Sequence, residues 1–111
     1  MSDITVYHLK ACDTCRKARK ALTAAGHNVT AIDVRADGVP REVLVAAQDQ
    51  FGAALLNTRS TTWRGLDAAA RDGDALDLIA AHPALMKRPL IDVGGTLYLG
   101  WTKEVQAALG V

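Results

Sequence analysis

The first 33 residues constrain the fold most, because they carry the pattern of a strand, a helix and a second strand. Residues 4–9 read ITVYHL, a β-branched and aromatic run without Asp, Glu, Lys or Arg, which is typical of a strand covered on both faces. Apolar and small residues then recur at intervals of three and four up to Gly26, which predicts a helix capped by Asp13 or Thr14. Residues 28–33, NVTAID, predict a second strand. Such a short β-α-β unit indicates two parallel strands joined by a right-handed crossover.

The middle of the chain carries helical patterns and no convincing strand. Pro40 suits the first turn of a helix, and the pattern that follows it continues to Gly52. Residues 56–66 are polar and rich in hydroxyl groups, which predicts a loop with short helical turns. Residues 73–81 predict another helix. We therefore expect a helical insertion over about residues 39–84.

Strand patterns return in the C-terminal part of the chain. Pro89 is followed by two short apolar runs, LIDV and TLYL, on either side of Gly94 and Gly95, which predicts a β-hairpin. Thr102 is a suitable N-cap for a last helix. The predicted order is β-α-β, helical insertion, β-β-α, within a single domain of residues 1–111.

The composition excludes several classes of protein. Half of the 111 residues are hydrophobic, which is enough for one buried core, and the formal net charge is only +1. Proteins that hold nucleic acid or a membrane surface without specificity need a large positive field, so neither partner is expected. No apolar run approaches the roughly 20 residues of a membrane span, and the N-terminus lacks the pattern of a secretory signal. We expect a cytoplasmic monomer.

The two cysteines lie between the first strand and the first helix, a position that favours a reactive thiolate. A helix N-terminus presents unpaired N–H groups and the positive end of the helix dipole, which lower the pKa of a nearby thiol. Lys10 and Arg16 flank the pair and act in the same direction, whereas Asp13 opposes them. We predict that Cys12, at the mouth of the helix, is the nucleophile. Cys15, one turn inward, would resolve a mixed disulfide or sulfenate on Cys12.

Two other interpretations of the cysteine pair are open. The C-x-x-C spacing is half of a zinc site, but His8, His27 and His82 show no ligand spacing with one another. The two cysteines could also be inert and buried. Thiol chemistry is favoured because a close cysteine pair in a reducing compartment is more often reactive than structural. We expect no metal site and no bound cofactor.

The run RKARK, residues 16–20, adds positive charge next to the cysteines. Its functional interpretation is attraction of an anionic substrate to the thiol, with Arg16 as the member most suited to that role. Its alternative interpretation is a solvated helix face, which we expect for Lys17 and Lys20.

Three segments together resemble a known family. CDTCRKARKAL, ALLNTRSTTWRGL and HPALMKRPLI are similar to the arsenate reductase-like (ArsC/YffB/Spx) branch of the thioredoxin-like fold, in the same order and at the usual separations. The resemblance implies an α/β fold with a mixed four-stranded sheet, flanking helices and an inserted helical segment. This architecture agrees with the order of elements predicted above.

The resemblance also implies roles for individual residues. The family's catalytic cysteine corresponds to Cys12, and its proline before the third strand, usually cis and facing that cysteine, corresponds to Pro89. The arginine before this proline binds oxyanions in the family and corresponds to Arg88, and Arg59 resembles a second anion-binding arginine. A guanidinium suits this role because its fork of donors holds an oxyanion through two hydrogen bonds. We expect Trp63, in the same block as Arg59, to lie in the core.

The function implied is a thiol-dependent reductase with glutathione as co-substrate, or with glutaredoxin or thioredoxin as electron donor. Its substrate would be a small anion or a disulfide. Glutathione-coupled arsenate reductases carry a further arginine after the hairpin, and this chain has none beyond Arg88, so arsenate itself is not implied. The alternative is an Spx-like redox-sensing transcriptional regulator that binds the α subunit of RNA polymerase.

Overall fold

A computed structural model describes residues 3–111, which form two compact units. The first unit contains residues 3–33 and Arg88–Val111, and the second contains Val34–Lys87. The elements follow one another as β1 (Asp3–His8), α1 (Asp13–Ala24), β2 (Asn28–Asp33), α2 (Arg41–Phe51), α3 (Thr61–Arg64), α4 (Ala68–Arg71), α5 (Ala75–Ala81), β3 (Leu90–Val93), β4 (Thr96–Leu99) and α6 (Lys103–Ala108). Short 3-10 turns lie at Gly52–Leu55 and Pro83–Leu85.

The first unit is built on a mixed four-stranded sheet with the strand order β2-β1-β3-β4. β1 pairs in parallel with β2, and β3 is antiparallel to both β1 and β4. The parallel pair and the hairpin are therefore confirmed. Gly94 and Gly95 have φ angles of 57° and 95°, the left-handed conformation that a tight hairpin turn requires. The sheet confirms the predicted fold class.

One core cluster holds the helices of the first unit to the sheet. Leu22 of α1 and the residues Val105 and Leu109 of the C-terminal helical segment pack with strand residues of one face, namely Ile4, Val6 and Ile91. Thr102 caps α6 as predicted, because its hydroxyl accepts a hydrogen bond from the Val105 N–H at 3.2 Å. The even positions of β1 and the apolar stripe of α1 thus face each other, as their spacing indicates.

Removal of the Leu22 side chain tests this packing. Leu22 is fully buried, so Leu22→Ala leaves a cavity, and we expect it to lower the free energy of unfolding by about 2–5 kcal/mol. Urea denaturation followed by circular dichroism measures the change. Lys17→Ala, an exposed position on the same helix, is the control and should change stability by less than about 0.5 kcal/mol. Equal losses in both variants would contradict the placement of Leu22.

The second unit is mainly helical. α2 begins after Pro40 and ends at Phe51, and the φ of 59° at the next residue, Gly52, stops the helix. Arg41 at the start of α2 forms ion pairs with Asp74 and Asp77 at 3.7 and 3.0 Å, which link α2 to α5. The residues expected to form a helical insertion, about 39–84, lie within this unit.

The expectation that Trp63 lies in the core is wrong. Trp63 is half-buried in the one-turn helix α3, and the Arg71 guanidinium lies 5.4 Å from its ring centroid. Arg71 also donates hydrogen bonds to the Trp63 carbonyl at 3.1 and 3.2 Å. A cation therefore lies over the indole ring, which is not part of the buried core.

Within residues 3–111, no helix has the length and apolar character that crossing a bilayer requires.

Candidate active site

Cys12 forms the N-cap of α1, which places its sulfur at the positive end of the helix. Its backbone is extended (φ −86°, ψ 108°), and its Sγ accepts a hydrogen bond from the Cys15 N–H at 3.3 Å. A turn closed by the Cys12 N–H and the Leu9 carbonyl at 3.0 Å leads from β1 into this cap. The expectation that Asp13 or Thr14 caps the helix is therefore wrong. The sulfur takes the position that a side-chain oxygen usually occupies.

Cys15 lies one turn further along α1 and is fully buried. It occupies the inner stripe of the helix together with Ala18 and Leu22. Burial and a hydrogen bond with Cys12 raise the pKa of the Cys15 thiol to about 12, so this thiol is neutral at physiological pH. A neutral thiol can donate a hydrogen bond, and the Cys12 sulfur is its acceptor.

The pKa of the Cys12 thiol lies below its ordinary value. Partial burial acts to raise this pKa, but hydrogen bonds from the Cys15 thiol, the Cys15 N–H and the Arg88 side chain together outweigh the burial. The positive charge of Arg88 acts in the same direction. Because each of these groups binds the anion more strongly than the neutral thiol, the site favours a thiolate at position 12.

The sheet explains how Arg88 reaches a cysteine so distant in the sequence. β1 ends at His8 and β3 begins at Leu90, and these two strands are antiparallel, with Tyr7 opposite Leu90. The loop after β1 and the residues before β3 therefore lie at the same end of the sheet. Sequence reasoning could pair Cys12 with Arg88 only through the family resemblance, because the strand register is not visible in the spacing.

Pro89 anchors the residue that precedes it. The Arg88–Pro89 peptide bond is cis, and Pro89 is fully buried. The Pro89 carbonyl accepts a hydrogen bond at 2.9 Å from the N–H of Gly100, which follows β4. The backbone beneath Arg88 is thus fixed by the sheet, which positions the guanidinium at the end where Cys12 lies.

Lys10 and Arg16, the other cations predicted to act on the thiol, are exposed. Arg16 forms an exposed ion pair with Asp13 at 3.5 Å. Arg88 is the cation that lowers the pKa of the Cys12 thiol most. The carboxylate of Asp13 is thus engaged by Arg16, and the main positive charge at the sulfur comes from the segment before β3.

Arg59 lies in the second unit, within a polar cavity of about 330 Å³ that also includes Asn57, Thr58 and Lys87. The Arg59 N–H donates a hydrogen bond to the Asn57 side chain at 3.1 Å. Lys87 was not singled out from the sequence. It is brought to Arg59 by a short antiparallel pairing, in which the Lys87 N–H donates to the Leu55 carbonyl at 2.8 Å. Two side-chain cations therefore line this cavity.

Among residues 3–111, no group of three or more His, Cys, Asp and Glu side chains is placed to hold a metal ion. Both cysteines are free thiols.

Comparison with known proteins places the chain in a family. The model of the ArsC family matches residues 7–109, so the chain belongs to the ArsC family. The structure is similar to that of the YffB protein, with a TM-score of 0.87 and 35% identity over 96% of this chain and 97% of that one.

The curated relatives with functional names are of two kinds. The chain is 30% identical to an arsenate reductase from Escherichia coli, over 82% of this chain and 69% of the relative. It is 26% identical to the global transcriptional regulator Spx from Streptococcus pyogenes, over 96% of this chain and 84% of that protein. The relatives of this chain thus include a protein named as an arsenate reductase and a protein named as a transcriptional regulator.

Proposed function

We propose that this chain is a thiol-dependent oxidoreductase in which Cys12 is the nucleophile. The observation that carries the proposal is the environment of the Cys12 sulfur, which accepts hydrogen bonds from Cys15 and Arg88 and has a lowered pKa. A thiolate is the reactive form of cysteine, and a site that stabilises it near neutral pH suits attack on oxidised sulfur or another electrophile.

The first step with a disulfide substrate is thiol–disulfide exchange. The Cys12 thiolate attacks one sulfur of the substrate, a new S–S bond forms, and the other substrate sulfur leaves as a thiolate that takes a proton from water. The mixed disulfide is then resolved in one of two ways. Either the Cys15 thiol loses its proton to water and attacks the Cys12 sulfur, which forms a Cys12–Cys15 disulfide and releases the bound substrate sulfur as a thiolate, and the reductant then reduces that disulfide. Or a glutathione thiolate attacks the substrate-derived sulfur, forms a disulfide with it and releases the Cys12 thiolate.

The structure supports an ordered role for Cys15. Burial contributes most to the high pKa of the Cys15 thiol, and the hydrogen bond and negative charge of Cys12 add to it. When Cys12 enters a mixed disulfide, its negative charge is consumed, and the two contributions of Cys12 disappear. The pKa of Cys15 therefore falls at the step where Cys15 has to become a nucleophile, while the Leu9 backbone and Arg88 continue to favour its anion.

Glutathione is the proposed co-substrate, with glutaredoxin or thioredoxin as the alternative electron donor. Glutathione carries carboxylates, and the guanidinium of Arg88 is a suitable partner for such a group. Arg59 and Lys87 supply further positive charge in the second unit. The proposal needs no metal ion and no nucleotide cofactor.

An activity panel tests the proposal. Arsenate, hydroxyethyl disulfide and a glutathionylated peptide are offered to the wild-type chain with glutathione or with a thioredoxin system as reductant. We expect turnover of at least one sulfur substrate. Cys15→Ala should slow release of the first thiol in a single turnover at pH 7 but not abolish it, because Cys12 still makes the attack after losing the thiol hydrogen bond that lowers its pKa. The same variant should be unable to form the Cys12–Cys15 disulfide and should lose turnover with thioredoxin, whereas turnover with glutathione should persist. Absence of turnover with every combination would overturn the proposal.

The cysteine pair and the relative named Spx also favour a second candidate, a redox-sensing regulator that binds the α subunit of RNA polymerase. A disulfide between Cys12 and Cys15 would remove the thiolate that caps α1, so the redox state would alter the surface at the start of this helix. Binding of the purified α subunit that depends on the redox state, together with no turnover in the panel, would favour the regulator.

A further inference from the structure

A groove lies along α1, outside the site formed by Cys12, Cys15 and Arg88. We call it the α1 groove. It has a volume of about 560 Å³ and is lined by Arg16, Arg19, Lys20, Thr23 and Ala24. Three of these five side chains are cationic, and the last two are small. The proposed mechanism does not use this surface.

The α1 groove begins at Arg16, about one helical turn after Cys12. Residues 16, 19, 20 and 23 follow position 12 at intervals of four, seven, eight and eleven, so they lie on the helix face that leads away from Cys12. From Arg16 to Ala24 the helix rises by about 12 Å, at 1.5 Å per residue. A ligand that spans this distance is an extended segment of several residues, whereas a single oxyanion would use one end of the groove.

Two of the three cations of the α1 groove form no ion pair with acidic residues of the described chain. Arg16 pairs with Asp13, but this pair is exposed, with side-chain exposures of 63% and 83%, and therefore weak. Within residues 3–111, Arg19 and Lys20 form no ion pair. The Arg19 Nε is buried and has no hydrogen-bond partner in this part of the chain.

We propose that the α1 groove binds an acidic polypeptide segment of the substrate, which places an adjacent oxidised cysteine at Cys12. This inference rests on the proposed function and names its substrate class as a protein or peptide disulfide. The cationic side chains favour an acidic sequence by charge complementarity. The small side chains at the far end of the groove leave room for an apolar residue. The chain's net charge of +1 disfavours nucleic acid as the occupant. The reaction is the exchange described above, with glutathione or a dithiol protein as reductant.

Two matched substrates test the proposal. One is a glutathionylated peptide with several Asp and Glu residues beside the modified cysteine, and the other carries Asn and Gln at the same positions. We expect kcat/KM for the acidic peptide to exceed that for the neutral one by roughly tenfold at low salt, and the difference to shrink as salt screens the charges. Equal kcat/KM values for the two peptides would overturn the proposal.

Lys20→Glu and Lys17→Glu form a matched pair of variants, because both reverse one charge on α1 and only Lys20 lines the groove. We expect Lys20→Glu to reduce the ratio of acidic to neutral kcat/KM by roughly tenfold, and Lys17→Glu to leave it within about twofold. Equal effects of the two variants would mean that the preference follows net charge alone, and would overturn the groove as the site.

Binding can be measured separately from chemistry. Cys12→Ser protein and fluorescent peptides with serine in place of the modified cysteine give affinities by anisotropy, with no thiol exchange. Tighter binding of the acidic peptide supports the groove even if the activity panel fails, and equal binding of both peptides overturns it even if the panel succeeds. Single-stranded DNA of the same charge that binds as tightly as the acidic peptide would also overturn it.

Discussion

Cys12→Ser is expected to abolish turnover, with a fall in kcat of roughly 10⁴-fold or more, as loss of the nucleophile does in other enzymes. A serine hydroxyl is not ionised at neutral pH, so the hydrogen bonds from Cys15 and Arg88 have no anion to stabilise. Cys15 cannot take over the first attack, because burial and the hydrogen bond with Cys12 raise the pKa of its thiol to about 12. Steady-state kinetics with the substrates of the activity panel measures the loss.

The same substitution should leave the fold intact, which separates a chemical effect from a structural one. Cys12 accepts the Cys15 N–H as the N-cap of α1, and serine is among the best residues for that position. We therefore expect the midpoint of thermal unfolding of Cys12→Ser to equal or exceed that of the wild type. Retained turnover, or an unfolded variant, would contradict the assignment of this sulfur as both cap and nucleophile.

The local sequence was sufficient to predict the framework of the first unit. Apolar residues at every second position of β1 and at every third or fourth position of α1 indicate which side chains face the core. Gly94 and Gly95 indicate the turn of the hairpin. These signals are local, because they depend on backbone conformation and on the burial of one face. The N-cap of α1 is the exception, because the side chains of Asp13 and Thr14 are more typical caps than that of Cys12, which takes this position.

The contacts of the candidate site could not be predicted from local patterns. The pairing of Tyr7 with Leu90 brings Arg88 to Cys12, and this register is set by the whole sheet. Proximity in sequence therefore favoured Lys10 and Arg16, whereas Arg88 is the cation that lowers the pKa of Cys12 most. The position of Trp63 could not be predicted from its residue type either. Tryptophan is common in cores, but here the ring lies against Arg71, eight positions further along the chain.

Arg88→Ala is expected to raise the pKa of the Cys12 thiol and to lower kcat/KM by roughly 10²-fold, the usual effect of removing one donor from an anion site. Arg88 donates a hydrogen bond to the Cys12 sulfur and adds a positive charge beside it, and both favour the thiolate. In the wild type, the rate of alkylation by iodoacetamide should rise with pH through a midpoint below the ordinary thiol pKa of 9.0. In Arg88→Ala the midpoint moves to higher pH, so alkylation is slower at pH 7.

The high-pH limit of the alkylation profile distinguishes an electrostatic role of Arg88 from a structural one. Above both midpoints the thiol is fully ionised in either protein. If Arg88 acts on the pKa, the limiting rate of Arg88→Ala should equal or modestly exceed that of the wild type, because a thiolate of higher pKa is the stronger nucleophile, whereas a sulfur displaced into a less accessible position would give a lower limiting rate. Arg88→Lys, which keeps the charge and loses the fork of donors, should lie between the two profiles. Lys17→Ala removes an exposed cation of α1 and should reproduce the wild-type profile. If the pH profiles of wild type and Arg88→Ala coincide, the N-terminus of α1 and Cys15 alone stabilise the thiolate. Arg88 would then have no role in activating the nucleophile.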